Sequence, residues 1–315
     1  MADSMAIKST IKQEVKDLNI RIRGLLPLAY HSCLEAISPT SMGSAGLKYD
    51  AEGRVAWDEI WTTFCDLAMA GGPPHRGKFL GPTNPAVISK DLEKTKTVAF
   101  EIQRGIQLTT GMKASIDDEI NWVLLECESE TMAAWMHRAI VAENVFADHL
   151  GNVIHLPSGP DFRIEKEIKN VIVCVAKTWH YWDGHMSENE KAKAGKVMND
   201  APLIIAPQVS NNEITAEAYA KAVIETLETV GAALKFEGKT ASEYGWVGFE
   251  CPDEKSAAWM VRAIIACNIL ARREITTLLL PVFIAPVSDY PLARMFDFLT
   301  AIRNVYEHQL EMGEV

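Results

Sequence analysis

Apolar residues recur every three or four positions in several long stretches, which is the spacing that places them on one face of an α-helix. The first such stretch covers residues 5–37 and is interrupted at Pro27. Others are predicted at Val55–Met69, Lys90–Leu108 and Thr215–Val230. Between them lie short runs in which apolar and polar residues alternate, as is typical of half-buried strands. The chain is therefore predicted to mix helices with strands.

One part of this pattern occurs twice. Residues 122–144 and 246–268 agree at 14 of 23 positions when they are aligned at an offset of 124 residues. Each copy starts as a strand with large or β-branched residues and continues as a helix with one apolar face. In the second copy Pro252 is expected at the first helical position, followed by two acidic residues that favour a helix N-terminus. Agreement over this length indicates an internal duplication.

The same offset relates the elements around the two copies. Each copy is predicted to contain an opening strand, a helix, a β-hairpin, the duplicated helix, a closing strand and a third helix. The opening strands are 77–82 and 201–207, the hairpins 112–116 with 122–127 and 233–237 with 246–251, the closing strands 153–156 and 277–283, and the third helices 162–182 and 291–310.

This order, β-α-β-β-α-β, predicts an α+β fold in which a ferredoxin-like unit is duplicated in tandem. Antiparallel sheets would carry helices on one face, and the two units would form a pseudo-dimer. The predicted divisions are an N-terminal helical segment at 1–72, a first repeat at 73–190 and a second repeat at 191–315. Many unrelated activities share such a fold, so the fold alone does not assign a function.

Alternation along the duplicated strand separates its side chains into two sets. Val247, Phe249 and Cys251 point to one side and are the natural partners of the helices. Trp246 and Glu250 point to the other side.

The first copy directs Trp122 and Glu126 in the same way. If the two repeats present these sides to each other, two carboxylates and two indoles line one pocket. Repulsion between the carboxylates and an apolar wall would raise a carboxyl pKa, which suits general acid–base chemistry. The alternative is that the two carboxylates pair with Arg138 and Arg262, which are duplicated too.

Residues that differ between the copies are candidates for a site that needs each group only once. His137, Glu143 and His155 are of this kind, and the second copy has Val261, Cys267 and Leu279 in their places. Glu143 lies on an apolar stripe, where a charge needs a partner or a function. His155 is a candidate for moving protons, and its alternative role is that of a packed strand residue.

A loop rich in glycine and proline precedes the first repeat. Gly71–Lys78 brings His75, Arg76 and Lys78 together, while its glycines allow the backbone to approach a ligand closely. These cations predict a site for a carboxylate or phosphate. The alternative is an exposed connection with solvated side chains.

Composition limits the possible partners and compartments. The 315 residues carry a formal net charge of −11 and contain no long basic run, so neither nucleic acid nor an anionic membrane is expected as the main partner. The six cysteines form no Cys-x-x-Cys pair, which favours reduced thiols in the cytoplasm. Neither a signal peptide nor an apolar run of 18 residues is found, so no membrane span is predicted.

Two further groups of residues have competing interpretations. Cys127 and Cys251 precede a duplicated helix, whose N-terminus would activate a thiol, but the alternation of the strand favours burial. His180 and His185 could bind a metal, but their spacing is unspecific, so a role at the surface end of a helix is favoured. The sequence predicts no metal site and identifies no cofactor.

The leading hypothesis is a small-molecule enzyme of the lyase, isomerase or hydrolase type. It would apply acid–base chemistry to a small anionic substrate held between the two repeats. The candidate catalytic residues are Glu126, Glu250 and His155, and the candidate substrate-binding residues are His75, Arg76, Lys78, Trp122, Trp246, Arg138 and Arg262. The alternative is a non-catalytic ligand-binding or assembly protein whose sheet faces pair with other subunits in a homo-oligomer.

Overall fold

A computed structural model describes residues 2–28, 31, 47–59, 78–117, 122–207, 214–284 and 292–312. Two of the predicted anion-binding residues, His75 and Arg76, lie outside these ranges. The chain divides into two compact units. We call Ser38–Lys191 the first-repeat unit, and Met1–Ile37 together with Ala192–Val315 the second-repeat unit.

The longer helices and the strands have the following bounds. The helices are α1 (Ala2–Leu25), α2 (Leu92–Thr110), α3 (Glu130–Ala142), α4 (Lys169–His185), α5 (Glu188–Asn199), α6 (Ala216–Leu234), α7 (Glu254–Ala266) and α8 (Leu292–Met312). The strands are β1 (Ala114–Ile116), β2 (Trp122–Glu126), β3 (Asp148–Leu150), β4 (Val153–Pro157), β5 (Gly238–Thr240), β6 (Trp246–Glu250), β7 (Arg272–Glu274) and β8 (Thr277–Pro281). A helical turn at Pro85–Ile88 and a π-helical turn at Ile164–Ile168 complete the described elements.

Each unit contains a four-stranded antiparallel sheet, so the α+β class is confirmed. The strand order is β1-β2-β4-β3 in one sheet and β5-β6-β8-β7 in the other. The pairing register is the same: Leu124 lies opposite His155 in the first sheet, and Gly248 lies opposite Leu279 in the second. From α2 to β4, every labelled element has a counterpart 124 residues later with the same length.

Helices cover one face of each sheet, which we call the proximal face. In the first-repeat unit α2 packs on β1 and β2, α3 packs on β3 and β4, and α4 crosses over both helices. The second-repeat unit repeats this with α6, α7 and α8, and α1 packs against α7 and α8. The opposite face of each sheet is called the distal face below. No helix among the described residues is both long and apolar enough to cross a membrane.

Local sequence explains where the duplicated helices begin and end. The side chains of Ser129 and Asp253 accept hydrogen bonds from backbone N–H groups in the first turns of α3 and α7, as N-cap residues do. Pro252 therefore lies before the N-cap, so its predicted place at the first helical position is wrong. Just beyond each helix, Asn144 (φ 64°) and Asn268 (φ 59°) adopt the left-handed conformation. Asparagine tolerates this conformation, which accounts for its presence in both copies.

Among the described residues, each predicted opening strand forms only a single β-bridge. Leu80 pairs in parallel with Val145, and Ile204 pairs with Ile269. In the first copy the Leu80 N–H donates to Asn144 and the Leu80 carbonyl accepts from Phe146. Pro82 occupies the next donor position and has no N–H, so the ladder cannot continue.

Other boundaries also differ from the prediction. The arm predicted at 233–237 is wrong because α6 continues to Leu234 and Lys235 then turns left-handed (φ 55°). The strand β5 follows at Gly238–Thr240, where a turn was expected. The strands β3 and β7 were not predicted, since three residues are too few to show alternation.

Candidate functional site

The predicted alternation along the duplicated strand is confirmed in the first-repeat unit. Val123 and Leu125 are fully buried on the proximal face, while Glu126 is exposed. Trp122 is half-buried on the distal face. Trp246 in the second-repeat unit is only 4% exposed, and the guanidinium of Arg272 lies 4.8 Å from the centre of its ring.

A continuous row of rings leads from the start of the first repeat to His155. Phe79 contacts Phe146 with 6.4 Å between ring centres, and Phe146 stacks on Trp122 at 5.3 Å. Trp122 lies 6.2 Å from His155, which is half-buried on the next strand. Lys78 directly precedes Phe79. Of the predicted residues, Lys78 therefore precedes the first ring of this row, while Trp122 and His155 form its other end.

The second copy does not repeat these rings. At the offset of 124 residues, Lys78, Phe79, Phe146 and His155 correspond to Pro202, Leu203, Leu270 and Leu279. Only the tryptophan is common to both. The fold therefore presents the same positions twice, and the first repeat alone supplies an imidazole there.

Each of the two candidate carboxylates forms an ion pair with a lysine of the neighbouring strand: Lys113 directly precedes β1, and Lys239 lies in β5. Glu126 accepts from Lys113 Nζ at 2.5 Å, and Glu250 accepts from Lys239 Nζ at 3.0 Å. Glu250 also accepts from the hydroxyls of Thr276 (2.5 Å) and Thr277 (3.0 Å). Hydrogen bonds from Thr276 and Lys239 lower the pKa of Glu250 despite partial desolvation. An exposed carboxylate held in this way stays ionised at neutral pH, which suits binding better than proton donation.

The two duplicated arginines have different surroundings. Arg138 is 4% exposed, and its Nη1 donates to the Ala134 carbonyl at 2.8 Å. Burial lowers the pKa of Arg138 to about 10. Arg262 is half-buried on α7. The ion pairs described for Glu126 and Glu250 are with Lys113 and Lys239, respectively.

Three side chains that the sequence did not group together meet between α3 and β3. His137 of α3 and His149 of β3 face each other with 2.9 Å between their Nδ1 atoms. The carboxylate of Asp148 accepts from the His149 backbone N–H at 2.8 Å. One donor atom from each of the three side chains lies within 4.8 Å of the other two. We call this group the His–Asp–His cluster.

Charge and burial keep both imidazoles of the cluster neutral. His137 is 2% exposed, and desolvation holds its pKa well below the usual value, with further lowering by His149 and Arg138. Desolvation also lowers the pKa of His149, and Arg138 and His155 act in the same direction, while Asp148 and Glu130 oppose it. At this distance the Nδ1–H of one neutral imidazole donates a hydrogen bond to the Nδ1 lone pair of the other.

Sequence reasoning singled out His137 but missed Asp148 and His149. Both residues differ between the copies, because the second copy has Arg272 and Arg273 in their places. The same comparison of copies that identified His155 would have found both. Their importance depends on β3, which brings them beside α3 and was not predicted.

The remaining singled-out residues have structural partners. Lys177 of α4 donates to Glu143 at 2.6 Å, with side-chain exposures of 2% and 16%. His180 and His185 approach each other at the end of α4, with 3.1 Å between Nε2 atoms.

Both candidate thiols are buried. Desolvation is the main cause that raises the pKa of Cys127 and of Cys251 to about 12. The interpretation as packed residues is confirmed for both.

Comparison with protein-family models, curated proteins and solved structures finds no match to this chain.

Proposed function

We propose that this protein is an enzyme that applies acid–base chemistry to a small anionic molecule bound at the distal face of the first-repeat sheet. The observation that carries the proposal is the row of rings from Phe79 to His155, with Lys78 directly before Phe79 in the chain. It combines a cation, an apolar wall of aromatic rings and an imidazole within one unit. The four described cysteines are free and buried, as expected of a cytoplasmic protein.

Each group has a distinct role in this proposal. Lys78, together with His75 and Arg76 of the preceding loop, attracts the anion. Trp122 forms the wall on which the substrate rests. His155 transfers the proton, because its imidazole is half-buried beside Trp122 and histidine is the side chain that most often acts as a general acid or base.

Glu126 has a supporting role on the same face. It lies opposite Val153, two residue pairs along the strand from the pairing of Leu124 with His155, so its carboxylate is a diagonal neighbour of the imidazole on the same face. Its ion pair with Lys113 keeps the local charge balanced. Arg138 belongs to α3 on the proximal side, and Glu250, Trp246 and Arg262 belong to the second-repeat unit, so these four residues are not part of the site proposed here.

Binding is tested first, with acetate, succinate, citrate and inorganic phosphate as separate probes in isothermal titration calorimetry. We expect at least one of them to bind and Lys78→Ala to weaken binding by about tenfold, or 1.4 kcal/mol. Trp122→Phe should alter binding, whereas Trp246→Phe is the matched control because it changes the equivalent residue in the other copy. Binding that is the same in all three variants would refute the site.

Catalysis is tested separately by proton NMR in D₂O. Incorporation of deuterium at an acidic C–H of a bound carboxylate reports proton abstraction. We expect His155→Leu, which installs the residue of the second copy, to retain binding and abolish incorporation. Incorporation at the wild-type rate in His155→Leu would exclude His155 as the base.

A non-catalytic ligand-binding or assembly protein is the second candidate. Leu150, on edge strand β3, is 78% exposed and lies opposite Val153, so apolar surface is present on the distal face. If a homo-oligomer buries this face, Leu150→Lys should lower the molar mass of the assembly measured by light scattering. Anion binding without deuterium incorporation would also favour this candidate.

We further propose that both units descend from a ferredoxin-like βαββαβ ancestor. The constant offset and the matched parallel bridges at Leu80 and Ile204 support a duplication. An experimental structure in which 114–157 and 238–281 fail to superpose would refute it.

A further inference from the structure

The His–Asp–His cluster has the composition of a metal site. Imidazole nitrogen and carboxylate oxygen are the ligands by which proteins hold zinc and related divalent ions. His137 Nδ1 and His149 Nδ1 already face each other at 2.9 Å, and an Asp148 oxygen lies within 4.8 Å of one ring nitrogen of each histidine. We propose that His137, Asp148 and His149 bind one divalent transition-metal ion, with Zn²⁺ as the reference ion.

The spacing of the two nitrogens fits a common ion. Ligands about 2.0–2.1 Å from one metal lie roughly 2.9–3.4 Å apart when the angle between them is about 90–109°. The 2.9 Å separation is at the lower end of this range. Asp148 is half-buried on the edge strand, and its carboxylate accepts a hydrogen bond from the His149 backbone N–H at 2.8 Å.

The charged groups around the cluster also suit a cation. Asp148 and Glu130 contribute negative charge near His149, against one positive charge from Arg138. Three protein ligands leave coordination positions for water, as in catalytic rather than structural zinc sites.

The second repeat provides an internal comparison. The equivalent positions hold Val261, Arg272 and Arg273 on the same elements α7 and β7. Arg272 is fully buried and forms ion pairs with Glu243 at 3.4 Å and Glu274 at 2.8 Å. A guanidinium repels a cation and offers no lone pair, so this copy cannot hold a metal there.

The test is a titration of the full chain with Zn²⁺ alone, after removal of metals with EDTA. Calorimetry should show one ion per chain with a dissociation constant below about 10 μM, and native mass spectrometry should count the same ion. His149→Ala should weaken binding by more than about 100-fold. The double variant His180→Ala/His185→Ala is the matched control, since it removes a second close histidine pair of the described residues and should bind like the wild type.

Two further measurements keep the inference testable if His149→Ala does not fold, as judged by circular dichroism. Asp148→Asn keeps the shape of the side chain and should also weaken Zn²⁺ binding. Co²⁺ bound to the wild type should give visible d–d absorption that Asp148→Asn alters. The inference is overturned if the wild type binds no ion, or if only the His180/His185 variant loses it. Since anion binding is measured on the metal-free protein, the proposed function can fail or stand independently.

Discussion

Removing one partner of the buried pair between Lys177 and Glu143 should strongly destabilise the first-repeat unit. The Lys177 side chain is 2% exposed, and its Nζ lies 2.6 Å from a Glu143 oxygen. Lys177→Met leaves the carboxylate in a largely buried place without its cation, a change that costs about 3–5 kcal/mol. For a unit of this size the melting temperature falls about 2–4 °C per kcal/mol, so we expect a decrease of roughly 6–20 °C.

Urea denaturation followed by tryptophan fluorescence measures the cost, and calorimetry measures the melting temperature. The double variant Glu143→Leu/Lys177→Met removes both charges and should recover most of the loss, because no uncompensated charge stays buried. Lys96→Met is the control: its pair with Glu93 is exposed, with a 3.0 Å separation, and should contribute about 0–1 kcal/mol. A loss below about 1 kcal/mol in Lys177→Met would refute the reasoning.

Three other changes have defined outcomes. Folding lowers the pKa values of His137 and His149 below 6.5, so the stability that their neutral rings contribute is present above pH 6.5 and is lost as the pH falls below it. The free energy of unfolding, measured by denaturation from pH 8 to pH 5, should therefore decrease less steeply with falling pH in His137→Val than in the wild type. The thiols of Cys127 and Cys251, with pKa values of about 12, should react with iodoacetamide only after denaturation, and rapid labelling of the native chain in mass spectrometry would contradict their burial. Gly105→Ala would place a Cβ 2.2 Å from a side-chain carbon of α4, so it should lower the free energy of unfolding in urea by about 1–3 kcal/mol. An unchanged free energy of unfolding would show that α2 and α4 can move apart to accommodate the methyl group.

The sequence by itself determined the repeated architecture. Side chains on one strand alternate between two faces, so the burial of Val123 and Leu125 under the helices and the position of Glu126 on the opposite face followed from their order. Helical periodicity likewise located the duplicated helices, because an apolar face must be buried. Both properties arise from residues close together in the chain.

Only the tertiary structure decided which chemical groups meet. His137 and His149 belong to different elements, and their contact requires the short edge strand β3 to pack beside α3. A strand of three residues owes its formation to hydrogen bonds with β4 rather than to its own pattern. The sequence could not predict the partner of Glu143 either, because Lys177 is 34 residues away and reaches it only when α4 packs across α3.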